Sequence, residues 1–276
     1  MIKRKRCGAK VITYCVLIIL FFICVIPFYL LIIGSTYDNA TLASRMPMLP
    51  GKYFIENYLK MAGTIHIWRG FFNSLIVAGI STAANIYIGS LTAFGFSKYR
   101  FRWNKQLFVI LLCCMMIPPR LGIIGYYQLM SEMKTLNSLP ALIFPALVAT
   151  TTTFWEKQYM DAYLPDALIE CARIDGCNDF KIFHRIALPL VAPASATMAI
   201  FTFVETWNNF EYPLILLTSS EKFTLPLMVQ TMQGVYARDY GAIYMGVTFS
   251  VIPILLIFVF CSKQIVGGLT VGAVKE

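Results

Sequence analysis

The sequence predicts an all-α membrane protein with six transmembrane helices. Three observations carry that prediction. The chain is 58% hydrophobic and only 13% charged, where a soluble domain carries roughly 25% charged residues. Its mean hydropathy is +0.67. Six apolar stretches, at 11–33, 72–97, 106–126, 139–160, 194–217 and 241–262, are each long enough for the ~20 residues that a spanning helix needs.

The first stretch follows Lys3, Arg4, Lys5, Arg6 and Lys10. A basic head before an apolar run resembles a secretion signal. The run from Val11 to Ile33 nevertheless exceeds the roughly 7–15 residues of a signal's apolar region, and no small-x-small cleavage site follows. It is read as a retained first span. A long polar loop, about 34–71, leads to the second stretch, after which come Lys98, Arg100, Arg102 and Lys105. Pro118-Pro119-Arg120 breaks the third stretch, with Arg120 set to meet an anionic substrate or, in preference, a lipid headgroup. Pro140, Pro145 and the Thr150–Thr153 run dilute the fourth; neighbouring helices can satisfy the backbone groups freed there. With the N-terminus inside, roughly two thirds of the 23 Lys and Arg residues fall on the inner side, the bias expected of cytoplasmic loops. The expected layout is a cytoplasmic N-terminus (1–10), a membrane domain (11–262) with a polar cytoplasmic loop (161–193), and a cytoplasmic tail (263–276).

The net charge of +9 lies in loops. No basic stripe interleaved with aromatics is visible, so nucleic acid is excluded as a partner. Eight cysteines include no C-x-x-C pair and read as small apolar fillers. His66 and His184 fall on opposite sides of the membrane, and no metal site is expected. No G-x-x-x-x-G-K-[ST], H-E-x-x-H or G-x-S-x-G motif occurs, so no catalytic residue is assigned.

One stretch is out of place in so apolar a chain: LPDALIECARIDGCNDFKIFHRIALPLVAP, residues 164–193. Pro165 suits the first turn of a helix. Residues 166–174 are good helix formers, and Asp175-Gly176 supplies a stop. Asn178 or Asp179 can cap a second short helix ending before Pro189. A nine-residue helix is marginal alone in water, and Ala167, Cys171 and Ala172 give it close-approach positions. Physics alone leaves three readings: a helix on the membrane surface, one that docks another protein, or one tucked into the chain's own core.

Polar residues inside spans are costly and mark pathways or helix contacts. The fifth stretch carries Glu205, Trp207, Asn208, Asn209 and Glu211, with Glu205, Asn209 and Tyr212 on one helical face. The second carries Ser74, Ser81, Thr82, Asn85, Tyr87 and Ser90. Aromatic, amide and carboxylate groups suit a sugar; gluing helices together is the other reading.

Glu170-Cys171-Ala172, Ile174-Asp175-Gly176, Phe183, Ile186 and Leu188-Pro189 resemble the E-A-A…D-G…I-x-L-P signature of the permease subunits of bacterial binding-protein-dependent ABC importers. Cys171 stands where that signature has Ala. Trp207-Asn208-Asn209-Phe210, Pro213-Leu214, Asn57-Tyr58, Asn73-Ser74, Ile117-Pro118 and the tail from Gln264 to Lys275 are similar to the carbohydrate-uptake branch, the maltose-type second permease subunit in particular. The resemblance implies a type I importer permease fold in the bacterial inner membrane. It implies a cytoplasmic coupling helix at 164–193 that inserts into an ABC ATPase through Glu170, Cys171, Ala172, Asp175 and Gly176. The implied partners are a second permease subunit, an ATPase dimer that binds ATP and Mg, and an extracytoplasmic solute-binding protein. This chain would hold no cofactor. A substrate pathway would draw on Asn85, Glu205, Trp207, Asn208, Asn209 and Glu211. The implied cargo is a sugar or oligosaccharide, with glycerol-3-phosphate or another polyol as the alternative. An ion-coupled secondary transporter is the competing class, and it would leave the 164–193 signature without a purpose.

Overall fold

The computed structural model describes residues 2–233 and 239–271, and every regular element among them is helical. In chain order these are α1 (Ile2–Gly34), α2 (Asn39–Ser44), α3 (Phe54–Thr64), α4 (Ile67–Lys98), α5 (Asn104–Met116), α6 (Ile123–Glu132) and α7 (Pro140–Ile143). There follow α8 (Thr150–Tyr163), α9 (Asp166–Ile174), α10 (Asp179–Ile182), α11 (Leu188–Trp207), α12 (Glu211–Leu216), α13 (Leu225–Thr231) and α14 (Tyr240–Val271). The chain forms two compact units, Met1–Ile67 with Met228–Ile252 and Trp68–Leu227 with Pro253–Glu276.

Four helical stretches among the described residues are long and apolar enough to cross a membrane: Ile12–Gly34, Ile67–Lys98, Asp179–Trp207 and Tyr240–Ser262. A fifth is added if α5 and the Pro119–Glu132 segment, bent by 89° at Pro118, count as one broken span. The bend lies where Pro118-Pro119 predicts it, because proline removes an amide donor and its ring clashes with the preceding turn. The expected fourth span, 139–160, is not one helix. Its prolines open α7 and a 3-10 turn at Phe144–Leu147, and only then does α8 begin.

The expected short helix ending before Pro189 does not end there either. Five residues, Phe183–Ala187, form a π-helical turn that joins α10 to α11 without a break. The wider turn accommodates Pro189 where a regular α-helix would meet its ring. At the far end, α11 stops at Trp207 rather than running to 217, and Glu211–Leu216 forms the separate α12. Helix α14 continues to Val271, and 272–276 lie outside the described residues.

In the first unit, Asn57 of α3 is fully buried and donates to the carbonyls of Ser35 (2.9 Å) and Tyr37 (2.7 Å), just past the end of α1. Carbonyls beyond a helix end need such partners. Gly241 of α14 passes so close that an added Cβ would stand 2.6 Å from Asn57 Oδ1.

Two apolar cores lie in the second unit among the described residues. One gathers Val77, Met130, Ala141, Leu142, Leu216 and Leu217. The other gathers Ala93, Phe94, Met160, Leu164, Ile182 and Phe183, and it also takes in Ile169 and Ala172 of the polar island. Asn73-Ser74 ties the loop before α13 to α4. Asn73 donates to the carbonyls of Glu221 and Phe223 (both 3.0 Å), and Ser74 Oγ accepts from the Leu225 amide at 2.8 Å.

Candidate functional site

The polar island folds as a short helix mounted at both ends. Pro165 precedes α9 in extended conformation, and Asp166 occupies its first turn. Lys98, the last residue of α4, has a side chain only 6% exposed. Its ammonium donates to the Leu164 carbonyl (2.5 Å) and to Asp166 Oδ1 (2.8 Å). A carboxylate at a helix N-terminus is favoured by the aligned peptide dipoles, and the Lys98 ammonium holds the Asp166 carboxyl below its ordinary 3.8. At the other end, Arg173 pairs with Asp179 at 3.1 Å and lies over the Tyr99 ring. The neighbouring Ser97 hydroxyl donates to Asp161 at the end of α8 (2.6 Å). Ser97-Lys98-Tyr99 thus grips α8 and both ends of α9. None of the three stood out in the sequence as more than part of a basic, positive-inside edge.

The stop at Asp175-Gly176 is a Schellman cap. The Cys177 amide donates to the Ala172 carbonyl (2.9 Å) and the Gly176 amide to that of Arg173 (3.0 Å), with Gly176 at φ +77°. That pairing requires a left-handed residue after the helix. An added Cβ on Gly176 would meet nothing within 4 Å, so within this chain the backbone angle alone requires glycine.

The five expected docking residues divide between two faces. Glu170, Cys171, Asp175 and Gly176 are exposed, while Ala172 is only 7% exposed and packs with Ile169 into the core beneath. Ile174, 85% exposed, and Phe180 join the open face as exposed apolar side chains. Apolar side chains beside an exposed carboxylate suit a protein partner.

The second feature is a cavity of about 1280 Å³, larger than the roughly 300–1,000 Å³ of an ordinary small-molecule site. It lies wholly within the second unit, between α4, α6, α8 and α11. Asn85, Glu205, Asn209 and Tyr212 line it. Asn85 is already committed: its amide donates to the Ala146 carbonyl (2.8 Å), and its oxygen accepts from Thr152 (2.5 Å) and Thr202 (3.4 Å). It joins α4, α8 and α11 rather than offering free groups to the cavity.

Trp207, expected on the pathway, is elsewhere. It is 1% exposed, stacked on Phe203 at 5.7 Å and edge-on to Phe71 at 5.6 Å. Its size makes it a core residue where α11 ends. Asn208 and Glu211 are also absent from the lining. Asn208 follows the last turn of α11, and Glu211 pairs with Arg120 at 3.0 Å, so Arg120 meets a carboxylate of its own chain. His184 packs beside Phe180 and Tyr87, with Nδ1 2.8 Å from the Phe180 carbonyl. No cluster of metal-binding side chains occurs among the described residues.

What the sequence reading missed is the wall supplied by α8. Trp155, Gln158, Tyr159, Ala162 and Tyr163 all line the cavity, at the i, i+3, i+4, i+7, i+8 spacing of one helical face. The stripe is legible once 150–163 is taken as a helix in its own right. An adjoining face of α8 buries Thr153, Glu156 and Met160, and the buried Thr152 stands at the edge of the cavity wall.

Comparison with known proteins accounts for this arrangement. Residues 85–268 match the family of binding-protein-dependent transport system inner membrane components. The chain belongs to this family. It is 33% identical over 254 residues to the arabinooligosaccharides transport system permease protein AraQ of Bacillus subtilis (strain 168), covering 90% of each chain. It is 30% identical over 263 residues to the trehalose/maltose transport system permease protein MalG of Thermococcus litoralis, covering 94% of each. The fold matches a chain in the crystal structure of a bacterial ABC transporter involved in the import of the acidic polysaccharide alginate, with a TM-score of 0.80 at 18% identity, over 92% of this chain and 95% of that one. As an inner membrane component, the permease presents α9 and the cavity on one unit.

Proposed function

We propose that this chain is a permease subunit of an ATP-driven ABC importer and that it passes a sugar or oligosaccharide into the cytoplasm by alternating access. The observation that carries the reading is α9. It is a polar helix held at its start by Lys98 of α4 and at its end by Asp179 and the Tyr99 ring, yet it leaves Glu170, Cys171 and Ile174 open. A helix seated on its own chain through the buried Ile169 and Ala172, with its remaining face open, suits the transmission of a partner's movement. In this reading α9 is the cytoplasmic coupling helix, Glu170 meets a basic group of the ATPase, and the buried Ala172 seats the helix instead of docking it. Six spans with both termini in the cytoplasm follow if the α5–α6 pair and the 139–163 region each cross the membrane. The same reading supplies a second permease subunit, an ATPase dimer carrying ATP and Mg, and an extracytoplasmic binding protein as partners. ATP hydrolysis belongs to the ATPase, and this chain is no enzyme.

The named relatives transport saccharides, and the cavity suits that cargo. Among the described residues its lining includes no Lys, Arg or His, so a phosphorylated polyol would find no cation in that lining. Glu205 and Asn209 are the retained pathway residues. The test is uptake of radiolabelled saccharide by vesicles holding the assembled complex. Uptake that requires ATP and ceases without the ATPase subunits supports the reading; uptake driven by a proton or sodium gradient alone overturns it.

A further inference from the structure

We infer that the aromatic face of α8 is a stacking shelf on which this permease itself holds an uncharged saccharide. The inference rests on the importer reading and extends it to the class of cargo and the side chains that choose it. The argument starts from how α8 is turned. A helix bordering lipid buries polar groups only when they are paired and turns aliphatic side chains outward. Helix α8 buries Thr153 and Glu156, whose Oε1 accepts from Ser195 at 2.7 Å, and turns Trp155, Gln158, Tyr159 and Tyr163 into the cavity, with the buried Thr152 at its edge. Trp155 is 47% exposed, and Gln158 is exposed beside it.

The chemistry of that face is particular. Tyr159 and Tyr163 stand 4.7 Å apart, centroid to centroid, as a tilted pair. Together with Trp155 they make an aromatic strip along about two turns of helix, 1.5 Å of rise per residue. Aromatic faces carry partial negative charge, and their edges partial positive charge. They therefore attract the weakly polarised C–H face of a pyranose or furanose ring and repel an anion laid flat on them. On the α11 side Thr202, Glu205, Thr206 and Asn209 face the same space and offer carboxylate, hydroxyl and amide partners for sugar hydroxyls. Glu205 is the one carboxylate in the lining among the described residues. With no Lys, Arg or His in the lining among the described residues, a uronate ring would bring its carboxylate toward the Glu205 carboxylate with no opposite charge to offset their repulsion. The fold is shared with a chain of an alginate importer, but this cavity is built against acidic sugars. Its length along α8 suits a short oligosaccharide in preference to a single ring.

The test uses the full complex in nanodiscs, with ATPase and partner permease present and the binding protein omitted. Binding of arabinotriose, maltotriose and an alginate trisaccharide is followed by equilibrium dialysis. The wild type is expected to take up a neutral trisaccharide and to leave the uronate at least tenfold weaker. Trp155→Ala is expected to weaken neutral binding about tenfold, the scale of one lost stacking contact, and Trp155→Phe to restore most of it. Glu205→Lys is expected to reverse the preference toward the uronate, a gain that a merely misfolded variant does not produce. Equal binding of neutral and acidic trisaccharides, or an unchanged affinity in Trp155→Ala together with no reversal in Glu205→Lys, overturns the inference. Binding-protein-stimulated ATP hydrolysis by the same wild-type complex is measured in parallel. If that stimulation is present while the shelf variants have no effect, the importer reading stands and the shelf falls. If stimulation is absent, the importer reading itself is at fault.

Discussion

Substituting Gly176 perturbs one torsion angle and little else, which makes its consequence calculable. The residue sits at φ +77° with open space around the position of a Cβ. A side chain there strains the backbone but collides with nothing in this chain. For an L-residue the left-handed conformation costs about 1–2 kcal/mol, so Gly176→Ala should raise the free energy of the Schellman cap by that amount. Asn tolerates the left-handed region better, and Gly176→Asn should fall nearer to wild type. The cap closes through the Gly176 and Cys177 amides, so the readout is their hydrogen exchange in the detergent-solubilised permease. At 1.4 kcal/mol per factor of ten, Ala should speed exchange roughly 5- to 30-fold if opening of the cap limits it. Asn should speed it by less. Exchange rates in Gly176→Ala equal to wild type would refute the claim that the left-handed cap holds the end of α9. Acceleration in Asn equal to that in Ala would refute the claim that the backbone angle, not side-chain space, is the cause.

Two further perturbations test the mounts. The Asp166 carboxyl has its folded-state value depressed below 3.8 by Lys98, so the pair's contribution is fully present above about pH 5 and is lost as pH falls through that depressed value. Asp166 is 71% exposed, so the gain stays below about 1 kcal/mol; amide protection at the start of α9 should weaken modestly below pH 4, and Lys98→Met should abolish that pH dependence. Gly241→Ala should lower the unfolding temperature of the permease in detergent, because its Cβ would stand 2.6 Å from the buried Asn57 side chain and overpacking costs about 1–3 kcal/mol. A cavity-creating partner change, Asn57→Ala, should not rescue it fully, since it leaves the Ser35 and Tyr37 carbonyls without their donor.

The parts of this molecule that were legible in its sequence are those governed by local rules. Pro165 and Gly176 bracket α9 as their backbone preferences require. The apolar runs at 11–33, 72–97 and 241–262 each coincide with a long helix. Glu205, Asn209 and Tyr212 line one cavity, though the helix that their spacing assumes stops at Trp207. The departures arise where tertiary packing overrides a local signal. Pro189 reads as a helix stop, but a π-helical turn absorbs it. Trp207 reads as a sugar platform by residue type, yet Phe71 and Phe203 enclose it. Asn85 reads as a solute ligand, yet the Ala146 carbonyl and two threonines occupy its amide. The α8 shelf was hidden because 139–160 reads as one diluted span, and the aromatic period emerges only when the helix is started at Thr150. Lys98 was read as one loop charge among several, because nothing in sequence places it against residues 66 and 68 positions further on.

The central claim is that α9 carries a partner's movement into the membrane. Its most direct test is binding-protein-stimulated ATP hydrolysis and saccharide uptake by the reconstituted complex, wild type against Glu170→Ala. That substitution touches the open face and leaves the Lys98 mount, the Gly176 cap and the buried Ile169 and Ala172 intact. The account predicts a complex that still assembles but loses stimulation and uptake together. Full stimulation and full uptake in the Glu170→Ala complex would contradict it.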